Sequence, residues 1–431
     1  MNENVSALMH KKLNTSLCRV LETAGLIALE NGFNLYLVGG AVRDLFLDLP
    51  IIDIDIVVEP IEINETSLKL GPFAADIFAK FFSSKVSAVS QFGTAKIEIK
   101  GFQVDVSTSR SEIYPYFGSL PVVQANSIYN DLERRDFTVN SIAINLLPEY
   151  FGNVLDPFNG LGDLKKKLLQ IHHPDSFQDD ATRILRGIRY QSRLGFAFSD
   201  TTEENLINNL SFLKEISGDR IRNELSRIFD EDKAVEILKI ADDLGILSEI
   251  HPALSWNDTK ALGYNFLKTH KHDLGNFVYV AFLILEIKNE DAEALKIRLN
   301  THGIWSEVIS DMVLLNNRMP ALMQADVRRS YIYDALLELN DLTLLARGAV
   351  QNNKMISDIL CNFEELKADA KLEIDGSKLI ELGIPEGKHI GEILLELQHK
   401  RLDGEIRNSI DEERLVYEKL KMLGFRPNFN E

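Results

Sequence analysis

Apolar and polar positions change their period along this chain, and the change divides it into segments. Over residues 1–30, Leu13, Leu17, Val20, Leu21 and Leu26 recur at helical spacing, which predicts a single N-terminal helix. Between 31 and 150 the period shortens. Leu35 to Val38 reads as a strand, Gly39 and Gly40 as a turn, the stretch with Arg43 and Asp44 as a short helix, and Ile51 to Val58 as a second strand. In that second strand Ile52, Ile54 and Ile56 face one way and Asp53 and Asp55 the other, because successive strand side chains alternate. Phe73 to Phe82 reads as a helix, and 86–110 as strands broken by turns at Gly93 and Gly101, with Asp105 between Val104 and Val106. From 151 onward the pattern is mainly helical, read as a neck (151–230), a body (231–320) and a tail (321–431). The expected class is therefore α+β: a head with a mixed β-sheet and helices over 31–150, followed by all-α neck, body and tail.

Composition narrows this picture without changing it. A chain of 431 residues has room for about three domains of roughly 150 residues each. Its 45% apolar and 26% charged content is that of an ordinary globular protein. No apolar run approaches the roughly 20 residues of a membrane-spanning helix. The N-terminus lacks the apolar core of a signal peptide, so a cytoplasmic location is expected. Cys18 and Cys361 are too few and too far apart to suggest a disulfide framework. A net charge of −18 argues against broad nonspecific nucleic-acid binding. Any RNA-binding role then requires a local concentration of arginine and lysine.

Several stretches carry candidate chemistry. Asp53 and Asp55 lie about 6.6 Å apart at Cα on one strand face, close enough for their carboxylates to converge on hard divalent cations. An edge strand with a solvated polar face is the alternative, and Asp105 stands in the same position on its own strand. The Gly39-Gly40 turn lets backbone approach a phosphate, with amides of the following helix facing the anion. Arg134 and Arg135, in the run RRDFTVNS, suit bidentate binding of phosphate oxygens, or else a solvated helix cap. Arg183, Arg186, Arg189 and Arg193 are spaced three, three and four residues, one stripe of a helix without an acid at i+4. Such a stripe invites an anion; a salt-bridged helix between domains is the other reading. Lys165, Lys166 and Lys167 form a first basic run. Residues 109–130 are turn-rich and predict a mobile loop beside the site. Asp219 is expected to cap a helix. His270, His272 and Asp273 invite a phosphohydrolase metal site, but no companion His and Asp stand at convincing positions. No GxxxxGK[ST], GxGxxG or CxxC motif occurs.

GGAVRD (39–44) followed by DID (53–55) resembles the head of the polymerase-β-like nucleotidyltransferases. With RRDFTVNS (134–141), DDATR (179–183) and LRGIRYQSRLGF (185–196), the chain is similar, over nearly its whole length, to the class II CCA-adding enzyme and bacterial poly(A) polymerase family. The resemblance implies transfer of C or A residues from CTP or ATP to the 3′ end of tRNA, with Asp53, Asp55 and Asp105 as catalytic acids holding Mg2+. It implies nucleotide binding by Gly39, Gly40, Arg43, Asp44, Arg135, Asp136, Asn140, Arg186 and Arg189. In the family, Asp180 and Arg183 read the incoming base. Lys165, Lys166, Lys167, Arg193 and Lys388 are the expected RNA contacts. The loop wording SEIYPYFGSLPVV is closer to the A-adding or CC-adding branch. A poly(A) polymerase of the same family is the alternative, and a non-catalytic RNA-binding protein a more distant one.

Overall fold

A computed structural model describes residues 4–51, 53–270 and 274–425. Two compact units divide the chain, 1–249 and 250–431.

The first unit begins with two helices where the sequence pattern predicts one: α1 (Ser6–Lys12) and α2 (Thr15–Asn31). The break falls at Leu13 and Asn14. Leu13 is extended, and the Asn14 side chain accepts from the Ser16 amide at 2.8 Å, a capping bond that starts a new helix. Leu26, placed on the apolar stripe by its spacing, is exposed.

Strands β1 (Phe33–Val38), β2 (Asp53–Pro60), β3 (Val86–Val89), β4 (Thr94–Ile99), β5 (Phe102–Thr108), β8 (Ala143–Asn145) and β9 (Val154–Leu155) form a seven-stranded mixed sheet in the order β3-β4-β5-β2-β1-β8-β9. The β2–β5 pairing is parallel; its neighbours are antiparallel. Helix α3 (Gly40–Leu47) links β1 to β2, and α4 (Leu70–Phe81) lies in the crossover from β2 to β5. Alternation puts Phe33, Leu35, Leu37, Ile54, Ile56, Val104 and Val106 on one face, all buried. Helix α4 covers that face, with Phe78 edge-on to Phe33 at 6.5 Å between centroids. The opposite face is apolar only in part: Tyr36, Val38 and Val57 pack under Ile128 and Leu132 of α5 (Ile128–Glu133), while Asp53, Asp55 and Asp105 share its other end. Ile52, read onto the apolar side of β2, lies outside the described residues.

Residues 109–130 are not a free loop. They form a hairpin, β6 (Arg110–Ile113) with β7 (Val122–Ala125), because Arg110, Glu112 and Tyr114 tie its base by side-chain bonds and Phe117 meets Phe212 at 4.7 Å. The RRD run sits just past the end of α5, with Arg134 as its C-cap residue. It leads through a 3-10 turn, Thr138–Asn140, into β8.

Helix α6 (Gly160–Lys166) leads into the neck, which also holds α7 (Ser176–Asp179), α8 (Thr182–Leu194), α9 (Asp200–Asn208) and α10 (Gly218–Phe229). Phe137 of the RRDF run packs against α8 and the neighbouring Phe198, at 6.1 Å from Tyr190 and 6.4 Å from Phe198. Ser217, not Asp219, is the N-cap residue of α10, and Asp219 lies in its first turn, where Arg222 donates to it at 2.6 Å. Among its described residues the second unit holds helices and no strands, with one apolar cluster around Leu315, Leu336 and Phe363 and another around Leu379, Leu397 and Val416. His270 ends a helix with its Nδ1 2.8 Å from the Phe266 carbonyl; His272 and Asp273 lie outside the described residues. No described helix is long and apolar enough to cross a membrane.

The head depends on a close approach of α4 to the sheet. The Gly71 amide donates to Thr108 Oγ1 at 2.8 Å, and a methyl at Gly71 would stand 2.6 Å from both the Gly93 carbonyl oxygen and the Thr108 amide nitrogen. Those atoms are backbone and cannot swing aside. Gly71→Ala is expected to destabilise the first unit by about 1–3 kcal/mol, seen as a lower urea midpoint; an unchanged midpoint contradicts this packing.

Candidate active site

The site is built by strand register. Asp55 on β2 lies opposite Val38 of β1 on one side and opposite Asp105 of β5 on the other. Adjacent strands lie about 4.8 Å apart, so the two acids are brought side by side. Asp53, two residues earlier on the same face, is exposed at the rim. All three line a cleft of about 830 Å³. They do not form a closed ligand cluster among the described residues; Asp105 is held instead by Lys96, its partner on β4, at 3.0 Å.

Gly39 makes this end of the sheet approachable. Its φ of +70° is in the left-handed region, and a Cβ there would come 3.1 Å from Asp55 Oδ2 and 3.0 Å from Arg135 Nη1. The glycine thus leaves room for a cationic and an anionic group to meet over the backbone. Gly40 opens α3 in the same wall. Arg135 donates to fully buried Asp131 at 2.9 Å, yet its Nε is buried without a hydrogen-bond partner. An unpaired buried donor of this kind is costly. Arg134 is fixed by Asp131 at 2.7 Å and Glu112 at 2.9 Å.

Along the cleft wall runs a continuous chain of bonds among largely buried groups. Arg43 grips Asp44 with two of its nitrogens, at 2.8 and 3.0 Å, and donates to Asn140 Oδ1 at 2.7 Å. Asn140 donates in turn to Asp136 Oδ1 at 2.9 Å, and Arg186 Nε donates to Asp136 Oδ2 at 2.8 Å. Against the cost of burial, the Arg186 guanidinium and the Asn140 amide hold the Asp136 carboxyl well below the usual carboxylate range. Arg43, Asp44, Asp136 and Asn140 all line the cleft, and each is already bonded to another of them.

Helix α8 supplies the far wall. Asp180 Oδ1 accepts from the Thr182 amide at 3.0 Å and its hydroxyl at 2.6 Å, and pairs with Arg220 at 2.7 Å. Arg183 donates to Ser176 Oγ at 2.7 Å and to the Arg134 carbonyl at 2.8 Å. The arginine stripe has acid partners after all. They come from elements distant in sequence: Asp136 for Arg186, Glu224 at 3.4 Å and Glu231 at 3.5 Å for Arg189, and Glu231 at 3.9 Å for Arg193. The Arg43, Arg186 and Arg189 guanidiniums also lie 5.1–5.5 Å from the Tyr190 ring centre.

Sequence reasoning missed Lys96, Glu112, Tyr114, Tyr190, Glu224 and Glu231, all of which line the cleft or pair with groups that do. Lys96 carried a usable signal, since it alternates with buried Ala95 and Ile97 on a strand beside Asp105. Glu224 and Glu231 carried none, because the stripe arginine they both meet, Arg189, is 35 and 42 residues away. Lys165, Lys166 and Lys167 are exposed at the end of α6 and outside the cleft, whereas Arg193 lines it. Lys388 belongs to the second unit, exposed at the start of helix Lys388–Leu402.

These elements define a head of the polymerase-β-like nucleotidyltransferase class. Residues 35–170 match the model of the poly A polymerase head domain, and 195–257 that of the probable RNA and SrmB- binding site of polymerase A. A curated A-adding tRNA nucleotidyltransferase of Geobacter sulfurreducens is 32% identical over 95% of the chain and 48% of its own length. One of the same description from Aquifex aeolicus is 32% identical over 85% of the chain and 44% of its own length. The chain thus spans about half the length of these two relatives. Among solved structures, an apo CCA-adding enzyme aligns with a TM-score of 0.82 at 26% identity, over 97% of this chain and 99% of that one. A Thermotoga maritima CCA-adding enzyme complexed with tRNA aligns at 0.75 and 26%, over the same shares. Residues 35–170 thus match a poly A polymerase head domain, and over nearly its whole length the chain is similar to tRNA nucleotidyltransferases of the A-adding and CCA-adding kinds.

Burial, reinforced by the Asp105 and Asp53 carboxylates, pushes the Asp55 carboxyl up, and the pull of Arg135 and Lys96 does not fully offset it. A carboxyl whose pKa rises on folding is ionised at a cost to stability above that pKa. Asp55→Asn removes this cost. It is expected to raise the Tm of the metal-free protein by a few degrees at pH 7, the gain vanishing below about pH 4 as the unfolded carboxyl also protonates. A lower Tm at pH 7 contradicts this electrostatic reading.

Proposed function

We propose that this chain transfers a nucleoside monophosphate from ATP or CTP to the 3′-hydroxyl of tRNA and releases pyrophosphate, and that it works in the cytoplasm. The observation that carries the reading is the juxtaposition of Asp53, Asp55 and Asp105 with the Arg135 guanidinium, whose Nη1 flanks Gly39 beside the Asp55 carboxylate. An acidic face beside an arginine donor accommodates cations and a triphosphate together. Two relatives at 32% identity are named as A-adding enzymes, which favours addition of A over complete CCA synthesis.

The three aspartates offer only oxygen donors, a set that fits Mg2+ and suits softer ions poorly. Bound there, Mg2+ would neutralise triphosphate charge and favour the ionised 3′-hydroxyl. The chain's own residues do the remaining work. Arg135 donates to the triphosphate, while Asp136 and Asn140, locked by Arg186 and Arg43, form the rigid surface for sugar and phosphates. Asp180 accepts from an exocyclic amino group and Arg183 donates to the ring acceptors of the base. C and A present that amino group where U and G present a carbonyl. The poly A polymerase head match favours a second reading, extension of other RNA with A.

Purified protein offered CTP and ATP separately on tRNA lacking C, CC or CCA ends tests the proposal. The expected result is one A added to tRNA ending in CC and none to tRNA lacking CC. Long A tracts on unrelated RNA would support the polymerase reading, and no incorporation would defeat both. Asp53→Ala is expected to abolish incorporation with tRNA affinity retained. Asp180→Ala is expected to relax selection of A over G by roughly 5- to 150-fold, the range of a lost paired base contact. Unchanged selection means another group reads the base.

A further inference from the structure

Away from the cleft, α1 and α2 bring three metal-ligating side chains together. Cys18 and Glu22 are one turn apart on α2 and share a face. His10 on α1 reaches them because the chain folds back at Leu13 and Asn14. The ligand atoms of His10, Cys18 and Glu22 all lie within 4.8 Å of one another, with His10 Nε2 2.8 Å from Glu22 Oε1. His10 Nδ1 is 2.7 Å from the Ser6 carbonyl, which can only accept, so Nδ1 carries a hydrogen and Nε2 is the position facing the cluster. A ring fixed through its other nitrogen by a carbonyl is how metal-ligating histidines are commonly held.

We propose that His10, Cys18 and Glu22 bind a transition-metal ion of the zinc class, clamping α1 onto α2 at a site separate from the aspartate cleft. The donor set is one nitrogen, one sulfur and one oxygen, three ligands that leave a fourth position for water. Tetrahedral donors lie about 3.3–3.7 Å apart at bond lengths of about 2.0–2.3 Å, so the His10–Glu22 pair at 2.8 Å must open slightly while the widest separation, within 4.8 Å, closes by up to about 1 Å. His10 is exposed and Glu22 half-buried, so rotation of these two toward buried Cys18 supplies the movement. Binding releases the Cys18 thiol proton, and any proton on His10 Nε2, to solvent. A thiolate selects zinc, cobalt or cadmium over magnesium, the reverse of the all-oxygen aspartates.

Titration of the full-length protein, reduced and metal-free, with Co2+ tests this directly. The expected result is one equivalent giving a thiolate-to-cobalt charge-transfer band, displaced by Zn2+, lost in Cys18→Ser and His10→Ala, and kept in Cys361→Ser. Cobalt at the aspartates produces no such band. Zn2+ is also expected to raise the Tm of the wild type but not of Cys18→Ser, with RNA-end addition unchanged in that variant. No charge-transfer band in the folded wild type, or a band that survives Cys18→Ser, overturns the site.

Discussion

The arrangement of this head rests on placing like charges side by side. Parallel pairing of β2 with β5 puts Asp55 directly opposite Asp105, and the two-residue repeat adds Asp53 on the same face. Ordinary sheet formation opposes that choice, since like charges directly opposite destabilise a pair. The sheet tolerates it because the reverse face of the same strands is apolar apart from Thr108 and sealed by α4. A one-residue slip of β2 would turn Ile54 and Ile56 into the cleft, so burial of one face enforces the crowding of acids on the other. Lys96 and Arg135 relieve part of that repulsion, and a divalent cation would relieve more.

The arginines around the cleft are not equivalent. Removing one partner of a buried ion pair costs about 3–5 kcal/mol, whereas an exposed pair contributes about 0–1 kcal/mol. Arg186 is bound to the buried carboxylate of Asp136 and Arg43 to buried Asp44, so both hold the wall in place. Arg193 is more exposed and 3.9 Å from Glu231, a weak attachment. Arg135 stands between these cases, anchored through one nitrogen with another unmatched. Much of the positive charge on the arginine stripe is therefore neutralised within the protein.

Much of the head was legible because period two and period 3.6 are local signals. The DID strand, the diglycine turn, the helix before β3 and the strand carrying Asp105 all stand where alternation and turn residues put them. The N-terminal helix was misread because Leu13 fits the apolar stripe while its neighbour Asn14 caps a new helix, a local competition that spacing alone does not settle. The loop at 109–130 proved to be a hairpin because Glu112 is fixed by Arg134, 22 residues on. The arginine stripe on α8 looked unpaired for the same reason: its acids belong to other elements, and only the fold brings them near.

The central claim is that the sheet's acidic face gathers divalent cations next to a bound triphosphate. A crystal soaked with Mn2+ and a non-hydrolysable ATP analogue tests it most directly, by anomalous scattering from manganese. The account predicts an anomalous peak among the Asp53, Asp55 and Asp105 carboxylates, with the triphosphate against Arg135. A triphosphate bound elsewhere, or no manganese at those carboxylates, would contradict it.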